Sequence, residues 1–417
     1  MVSRPSSASY AIVNATLLTM APLSARATGD ARVGEDDLGI VRDATIVVRD
    51  GVIAEIGGAD TESSRSSLSK LEVHDARDAV VMPGLVDAHT HALFAGDRVA
   101  DFEALAQGAK PRLGIAYTVE QTRQLDRRAL VALGRERLAA MLLHGTTTVE
   151  IKSGYALTAD GEVTLVRALA DLDAASDLPH VIATFCGAHA LPPEFASYDA
   201  FGDELVERIL PAVAALGIAR FADAFCERGY FSVEQSRRFL AACKARGMQL
   251  RIHADELAPS GGAQLAAQLG CVSADHLNFA DDADVRALRA AGSIAVLCPA
   301  TAQYLELERF APARALIEGG VPVALATDFN PGTCPCFSLQ EVAHIARRRL
   351  RMSAAETIAA VTTIAARSLE SNAVAGCIAA NRPADIVILN TSDYREFGYY
   401  FGVNLVRWAS PGARAGV

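Results

Sequence analysis

The sequence predicts an α/β fold, a (β/α)8 TIM-type barrel with a small β-sandwich domain built from both chain ends. Three observations predict it. Between residues 80 and 371, short β-rich segments alternate with Ala/Leu/Arg-rich helical ones, and about eight such units in roughly 290 residues argue a closed barrel of parallel strands rather than an open sheet. Strand signals without helices precede this stretch and return after it at 384–389. The length of 417 residues is about 2.8 times a 150-residue domain, enough for one large barrel with additions. The expected boundaries are 1–82 with 380–417 for the small domain and 83–379 for the barrel.

Residues 10–18 read as a strand, and 44–48 with 52–56 as a hairpin turned at Arg49-Asp50-Gly51, where glycine meets the positive φ the turn demands. The polar stretches 29–37 and 61–70 read as loops. The alternation then runs through helix 120–144, strand 148–151, helix 161–170, strands 180–185 and 222–226, helix 233–246 and strand 249–253. It continues with helix 263–269, strand 273–276, helix 282–291, strand 294–297, helix 313–319 and strand 323–327. Strand 384–389 is followed by a further strand-like segment, 401–406, so the chain ends are expected to meet in one β unit.

Composition narrows the function. A hydrophobic fraction of 51% with 21% charged residues excludes global disorder. The balance of 39 basic against 49 acidic residues, a net −10, argues against nucleic acid or an anionic membrane as partner and favours a small molecule. No uncharged apolar run reaches the roughly 18 residues of a membrane span, and residues 1–23 match a secretory leader poorly. The eight cysteines lack CxxC pairing and read as reduced thiols of a cytoplasmic protein.

The chemistry concentrates at strand ends. In Val86-Asp87-Ala88-His89-Thr90-His91, residues i and i+2 of a strand face the same way, so His89 and His91 would both enter the lumen as paired metal ligands. Partners stand at the ends of other expected strands: His189 after 184–188, His253 after 250–252, His276 after 273–275 and Asp328 after 324–327. Each alone would suit a satisfied core or rim residue; four strand ends together make a constellation at the face where barrel enzymes work. His74, His144, His180 and His344 sit in helical or turn-like contexts and read as packing or surface residues.

This order of ligands resembles the amidohydrolase superfamily. The segments Gly145-Thr146-Thr147-Thr148-Val149-Glu150-Ile151-Lys152-Ser153-Gly154-Tyr155, His253-Ala254-Asp255-Glu256, Asp275-His276 and Asp328-Phe329-Asn330-Pro331-Gly332 resemble, within it, the imidazolonepropionase family, and the likeness covers nearly the whole chain. It implies one divalent metal ion, Zn²⁺ or Fe²⁺, on His89, His91, His253 and Asp328, and hydrolytic opening of 4-imidazolone-5-propanoate to N-formimidoyl-L-glutamate. It further implies that Glu256 bonds the ring nitrogens, that His276 polarises the carbonyl or takes the water's proton, and that Asp328 passes this proton to the leaving nitrogen. The positions Arg98, Tyr155, His189, Asn330, Gly332 and Thr333 map onto the substrate-binding set, Arg98 as a carboxylate clamp. Lys152 maps onto a lysine that is not a ligand, which implies one metal rather than a bridged pair. A homodimer is also expected.

Two segments depart from the family pattern. The loop Gly108-Ala109-Lys110-Pro111-Arg112-Leu113-Gly114-Ile115 is shorter and lacks a tyrosine that binds the substrate carboxylate in the family, which makes Lys110 and Arg112 the candidate replacements. Thr333-Cys334-Pro335-Cys336 replaces a serine- and threonine-rich run and reads as a plain loop. The alternative these departures allow is an amidohydrolase or deaminase for a related N-heterocycle, such as a hydantoin- or thiohydantoin-propanoate.

Overall fold

The computed structural model describes residues 7–26, 31–58, 68 and 71–412. Eight strands, β6 (Leu85–Asp87), β7 (Thr146–Lys152), β8 (His180–Ala188), β9 (Phe221–Cys226), β10 (Gln249–Ala254), β11 (Ser273–His276), β12 (Ile294–Leu297) and β13 (Val323–Leu325), pair in parallel in chain order. They are buried almost throughout, as strands covered on both faces must be. The ring closes just past the strand ends, where the Asp328 N–H donates to the His89 carbonyl and the His91 N–H to the Phe329 carbonyl, both at 2.9 Å.

Helices cover the outside because their apolar residues recur every three to four positions. Val233–Lys244 buries Ser236, Phe239, Leu240 and Cys243 and starts at Ser232, whose hydroxyl accepts from the Gln235 N–H. Thr158 and Asp281 cap Ala159–Asp173 and Asp282–Ala291 in the same way.

The second sheet draws on both chain regions. Its order is β15 (Val406–Ser410), β14 (Ile386–Leu389), β5 (Val80–Pro83), β1 (Tyr10–Leu18), β2 (Ile40–Arg49), β3 (Val52–Gly58), with β4 (Glu72–Asp75) against β1. Ile12, Leu17, Ile46, Ile386 and Trp408 belong to an apolar cluster of its own. The β2–β3 hairpin turns at Asp50 and Gly51, with φ of 49° and 76°. One residue, Gly84, separates β5 from β6, so this sheet feeds the strand that leads to His89.

Several expectations are corrected. The helix expected over 120–144 is two, Gly114–Arg123 and Arg127–Leu143, because Asp126 leaves the helix and caps the second through the Ala129 N–H at 2.8 Å. The terminal pairing strand begins at Val406 rather than 401. The Leu405 N–H donates to Gln340 Oε1 and the Asn404 amide to the Leu143 carbonyl, each at 2.9 Å, so side chains of and on the barrel hold this segment instead of a ladder. His74 lies in β4 and His180 opens β8, not in helices or turns. Of the expected loops, 61–70 lies outside the described residues except Leu68, as do residues 29 and 30, and Glu35–Leu38 forms a 3-10 turn. Among the described residues all eight cysteines are free and no helix is long and apolar enough to cross a membrane.

Candidate active site

Below the C-terminal rim the barrel interior is filled with charge. Glu150 and Lys152 on β7, Asp223 on β9, Arg251 on β10 and Asp275 on β11 are all fully buried. Lys152 Nζ lies 2.6 Å from Asp223 Oδ2, 2.8 Å from Glu150 Oε1 and 3.8 Å from Asp275 Oδ2, and Arg251 Nη2 lies 3.2 Å from Asp275 Oδ2. Burial alone would lower the Lys152 pKa, but Asp223 and Glu150 overcome it and the shift is upward. Burial likewise opposes ionisation of Asp223, yet His253 and Lys152 hold it well below the usual range. Three carboxylates face two cations, leaving this floor one negative charge in excess.

The histidines stand on that floor. The His89 Nδ1–H donates to Asp275 Oδ2 at 2.6 Å and the His253 Nδ1–H to Asp223 Oδ1 at 2.8 Å. An acceptor on Nδ1 fixes the tautomer and leaves the Nε2 lone pair facing the opposite way. His89 Nε2 lies 3.5 Å and His91 Nε2 3.7 Å from Asp328 Oδ1, and His91 Nε2 lies 3.2 Å from His253 Nε2. Burial holds His89 and His91 well below their ordinary pKa, assisted by Lys152 for His89 and by neighbouring imidazoles for both. His89 Nε2 and both ring nitrogens of His276 are buried without a hydrogen-bond partner. Neutral imidazoles with unsatisfied lone pairs and a carboxylate oxygen aimed at one point fit a divalent cation.

Around this point lies a cavity of about 340 Å³, lined among others by His91, Arg98, Tyr155, His189, Tyr230, Glu256, His276 and Asp328. Of the sequence-derived candidates, Asn330, Gly332, Thr333 and His253 line it as well, and His89 is fully buried behind them. Burial, with Asp328 and Glu227 nearby, pushes the Glu256 carboxyl well above its ordinary range, and burial raises Asp328 to about 6. His276 reaches the lumen because its φ of 71° breaks the strand alternation, bringing both it and the preceding Asp275 to the centre. His189 lies parallel to His91, ring centroids 4.8 Å apart, and its Nδ1–H donates to the Gly154 carbonyl at 3.0 Å.

The rim loops hang on buried carboxylates. Glu162 accepts from the Gly154, Ala156 and Leu157 N–H groups and so holds the loop of Tyr155. Glu227 accepts from the Glu256 and Leu257 N–H groups, both at 2.8 Å. Asp101 accepts from Arg98 Nε at 2.5 Å and from the Arg112, Leu113 and Gly114 N–H groups, tying the shortened loop to the guanidinium. A Cβ on Gly332 would lie 3.1 Å from Arg98 Nη1, so the guanidinium packs closely over this turn. Asn330 uses its side chain on its own turn, donating to the Asp328 carbonyl and accepting from the Gly332 and Thr333 N–H groups.

Neither Lys110 nor Arg112 lines the cavity; both side chains are exposed, and Pro111, Gly114 and Ile115 form that wall. Sequence reasoning missed Asp223, Asp275, Arg251 and Tyr230. For Arg251 a signal existed: it stands two residues before His253 on the same strand, hence on the lumen face. Cys334 and Cys336 join none of the metal-capable groups among the described residues.

Residues 80–406 match the amidohydrolase family model. The imidazolonepropionase of Geobacillus thermodenitrificans is 40% identical over 378 residues, 88% of this chain and 89% of that one. That of Bacillus velezensis is 41% identical over 402 residues, 94% of this chain and 92% of that one. Among solved structures, a zinc-bound adenosine deaminase from Xanthomonas campestris superposes with a TM-score of 0.66 at 20% identity, over 98% of this chain and 93% of that one, a likeness of fold. The chain belongs to the amidohydrolase family and, within it, to the imidazolonepropionases.

Proposed function

We propose that the chain opens the ring of 4-imidazolone-5-propanoate by hydrolysis, giving N-formimidoyl-L-glutamate. The observation that carries this reading is one cavity with a cation-ready cluster of imidazoles and Asp328 on its floor and the Arg98 guanidinium on its wall. A cation site and a guanidinium in one cavity suit a ring with an anionic tail. His89, His91, His253 and Asp328 would hold one divalent ion, Zn²⁺ or Fe²⁺. When bound, the ion supplies Lewis acidity that polarises an amide carbonyl and acidifies water.

The remaining work falls to the side chains. Arg98, fixed by Asp101, binds the propanoate; Glu256, kept protonated by burial, hydrogen-bonds a ring nitrogen. His276, neutral and with neither ring nitrogen hydrogen-bonded to the protein, accepts a proton from the attacking water. Water adds to the ring carbonyl carbon, the bond from that carbon to the ring nitrogen breaks, and the proton taken from the water by His276 passes through Asp328 to the leaving nitrogen. Tyr155 and His189 close the wall beside His91 and keep the ring in register.

The same reading includes a homodimer, a cytoplasmic location, consistent with eight free cysteines, and two domains, 1–82 with 380–417 and 83–379, consistent with the separate apolar cluster of the mixed sheet. The test incubates metal-replete protein with freshly prepared imidazolone-propanoate, follows ring absorbance and identifies the product by mass. Conversion to N-formimidoylglutamate, lost in Asp328→Ala, is the expected result; inertness towards it with turnover of the hydantoin or thiohydantoin analogue would overturn the reading.

A further inference from the structure

The turn after β9 brings an unassigned hydroxyl into the cavity. Cys226 bridges Phe231, the Glu227 N–H donates to the Phe231 carbonyl at 3.1 Å, and the Tyr230 N–H donates to the Glu227 carbonyl at 2.9 Å. Glu227 in turn grips the loop of Glu256 through two backbone N–H groups at 2.8 Å. Tyr230 is therefore locked to the same frame as Glu256. Its ring packs on Phe225, centroids 4.3 Å apart, and Phe225 packs on His253 at 5.4 Å. Its phenol has no protein hydrogen-bond partner among the described residues, although the ring is partly buried and lines the cavity with Arg98.

We propose that Tyr230 is a specificity-determining residue whose phenolic O–H donates to the substrate carboxylate held by Arg98. The proposal rests on the functional reading above and deepens it. The shortened loop presents only Pro111, Gly114 and Ile115 to the cavity, so it offers no side-chain donor at this wall. A phenol is a hydrogen-bond donor, and its rigid ring, already seated on Phe225, loses little freedom on binding. The charged groups that act on the Tyr230 phenol are Glu256, Glu227 and Arg98, and of these only Arg98 would share an anion with it.

The test compares wild type with Tyr230→Phe on two substrates, 4-imidazolone-5-propanoate and its 5-ethyl analogue, which lacks the carboxylate. A hydrogen bond to a charged group corresponds to about 10- to 100-fold in binding. The expected result is a KM for the propanoate raised by about that factor, kcat within about twofold, and unchanged kinetics on the ethyl analogue. Equal losses on both substrates, or a fall in kcat, would place the phenol on Glu256 instead and overturn the proposal, as would an unchanged KM. Wild type that turns over neither substrate refutes the functional reading itself, a separate outcome. Thermal melting of both proteins checks that the substitution leaves the fold intact.

Discussion

The floor and the wall of the cavity are built on opposite plans. On the floor every orienting group comes from a strand: Asp275 and Asp223 aim His89 and His253, and Lys152 lies within 3.8 Å of both carboxylates. On the wall the groups come from loops, and single buried carboxylates, Asp101 for Arg98, Glu162 for Tyr155 and Glu227 for Glu256, fix each loop through its own N–H groups. The difference separates two tasks. Strands joined by a barrel hold the metal-binding atoms 3.2 to 3.7 Å from one another, while loops can change in length around a fixed anchor. The shortened 108–114 loop shows this: Asp101 still receives three of its N–H groups.

The comparison can be broken most severely at the floor. Asp328→Ala, or removal of metal by a chelator, is expected to lower turnover by about 10³-fold or more. Readdition of Zn²⁺ or Fe²⁺ should restore the chelated wild type but not the variant, with metal content measured alongside.

Lys152→Met probes the floor's integrity rather than its chemistry. It leaves Glu150, Asp223 and Asp275 buried with only Arg251 for charge, and loss of one partner of a buried ion pair costs about 3–5 kcal/mol. Denaturant unfolding should register that loss; a variant as stable as wild type would show that the carboxylates are neutralised in another way.

At the wall, Arg98→Met should act on binding alone. KM for the propanoate is expected to rise by about 10- to 100-fold with kcat little changed, in contrast to the collapse produced at the floor.

The smallest effect contrasts carboxylates that have a buried cation with one that does not. Asp385 lies buried where β14 begins, and burial raises its pKa to about 7, offset only in part by the Thr147 hydroxyl and Arg382. Its folded-state pKa exceeds the unfolded value near 3.9, so the folded state holds the proton more tightly. Its contribution to stability is therefore fully present below about pH 4 and is lost as pH rises towards 7. Asp385→Asn should remove this dependence and make the protein more stable than wild type at pH 8 by about 1–3 kcal/mol. Urea unfolding of both proteins at pH 5 and pH 8 measures the difference, which should be larger at pH 8.

How much of this was legible follows from what each signal encodes. Period-2 alternation put His89 and His91 on one face, and the βα repeats marked His189, His253, His276 and Asp328 as strand-end residues before any contact was known. Helix boundaries were less secure: the aliphatic pattern ran on through 120–144, while the Asp126 cap decides where one helix stops and the next begins.

By itself, then, the sequence determined the barrel, the mixed β unit at its ends, and a histidine-rich centre with Asp328, because strand and helix periods are local properties of the chain. Only the tertiary structure decided that His89 bonds Asp275, 186 residues away, that Lys152 bonds Asp223, 71 residues away, and that Tyr230 rather than Lys110 or Arg112 faces the cavity. Those pairings depend on which strands become neighbours when the barrel closes and on where loops are anchored. Periodicity says which way a side chain points, and the closed ring of strands supplies what it meets.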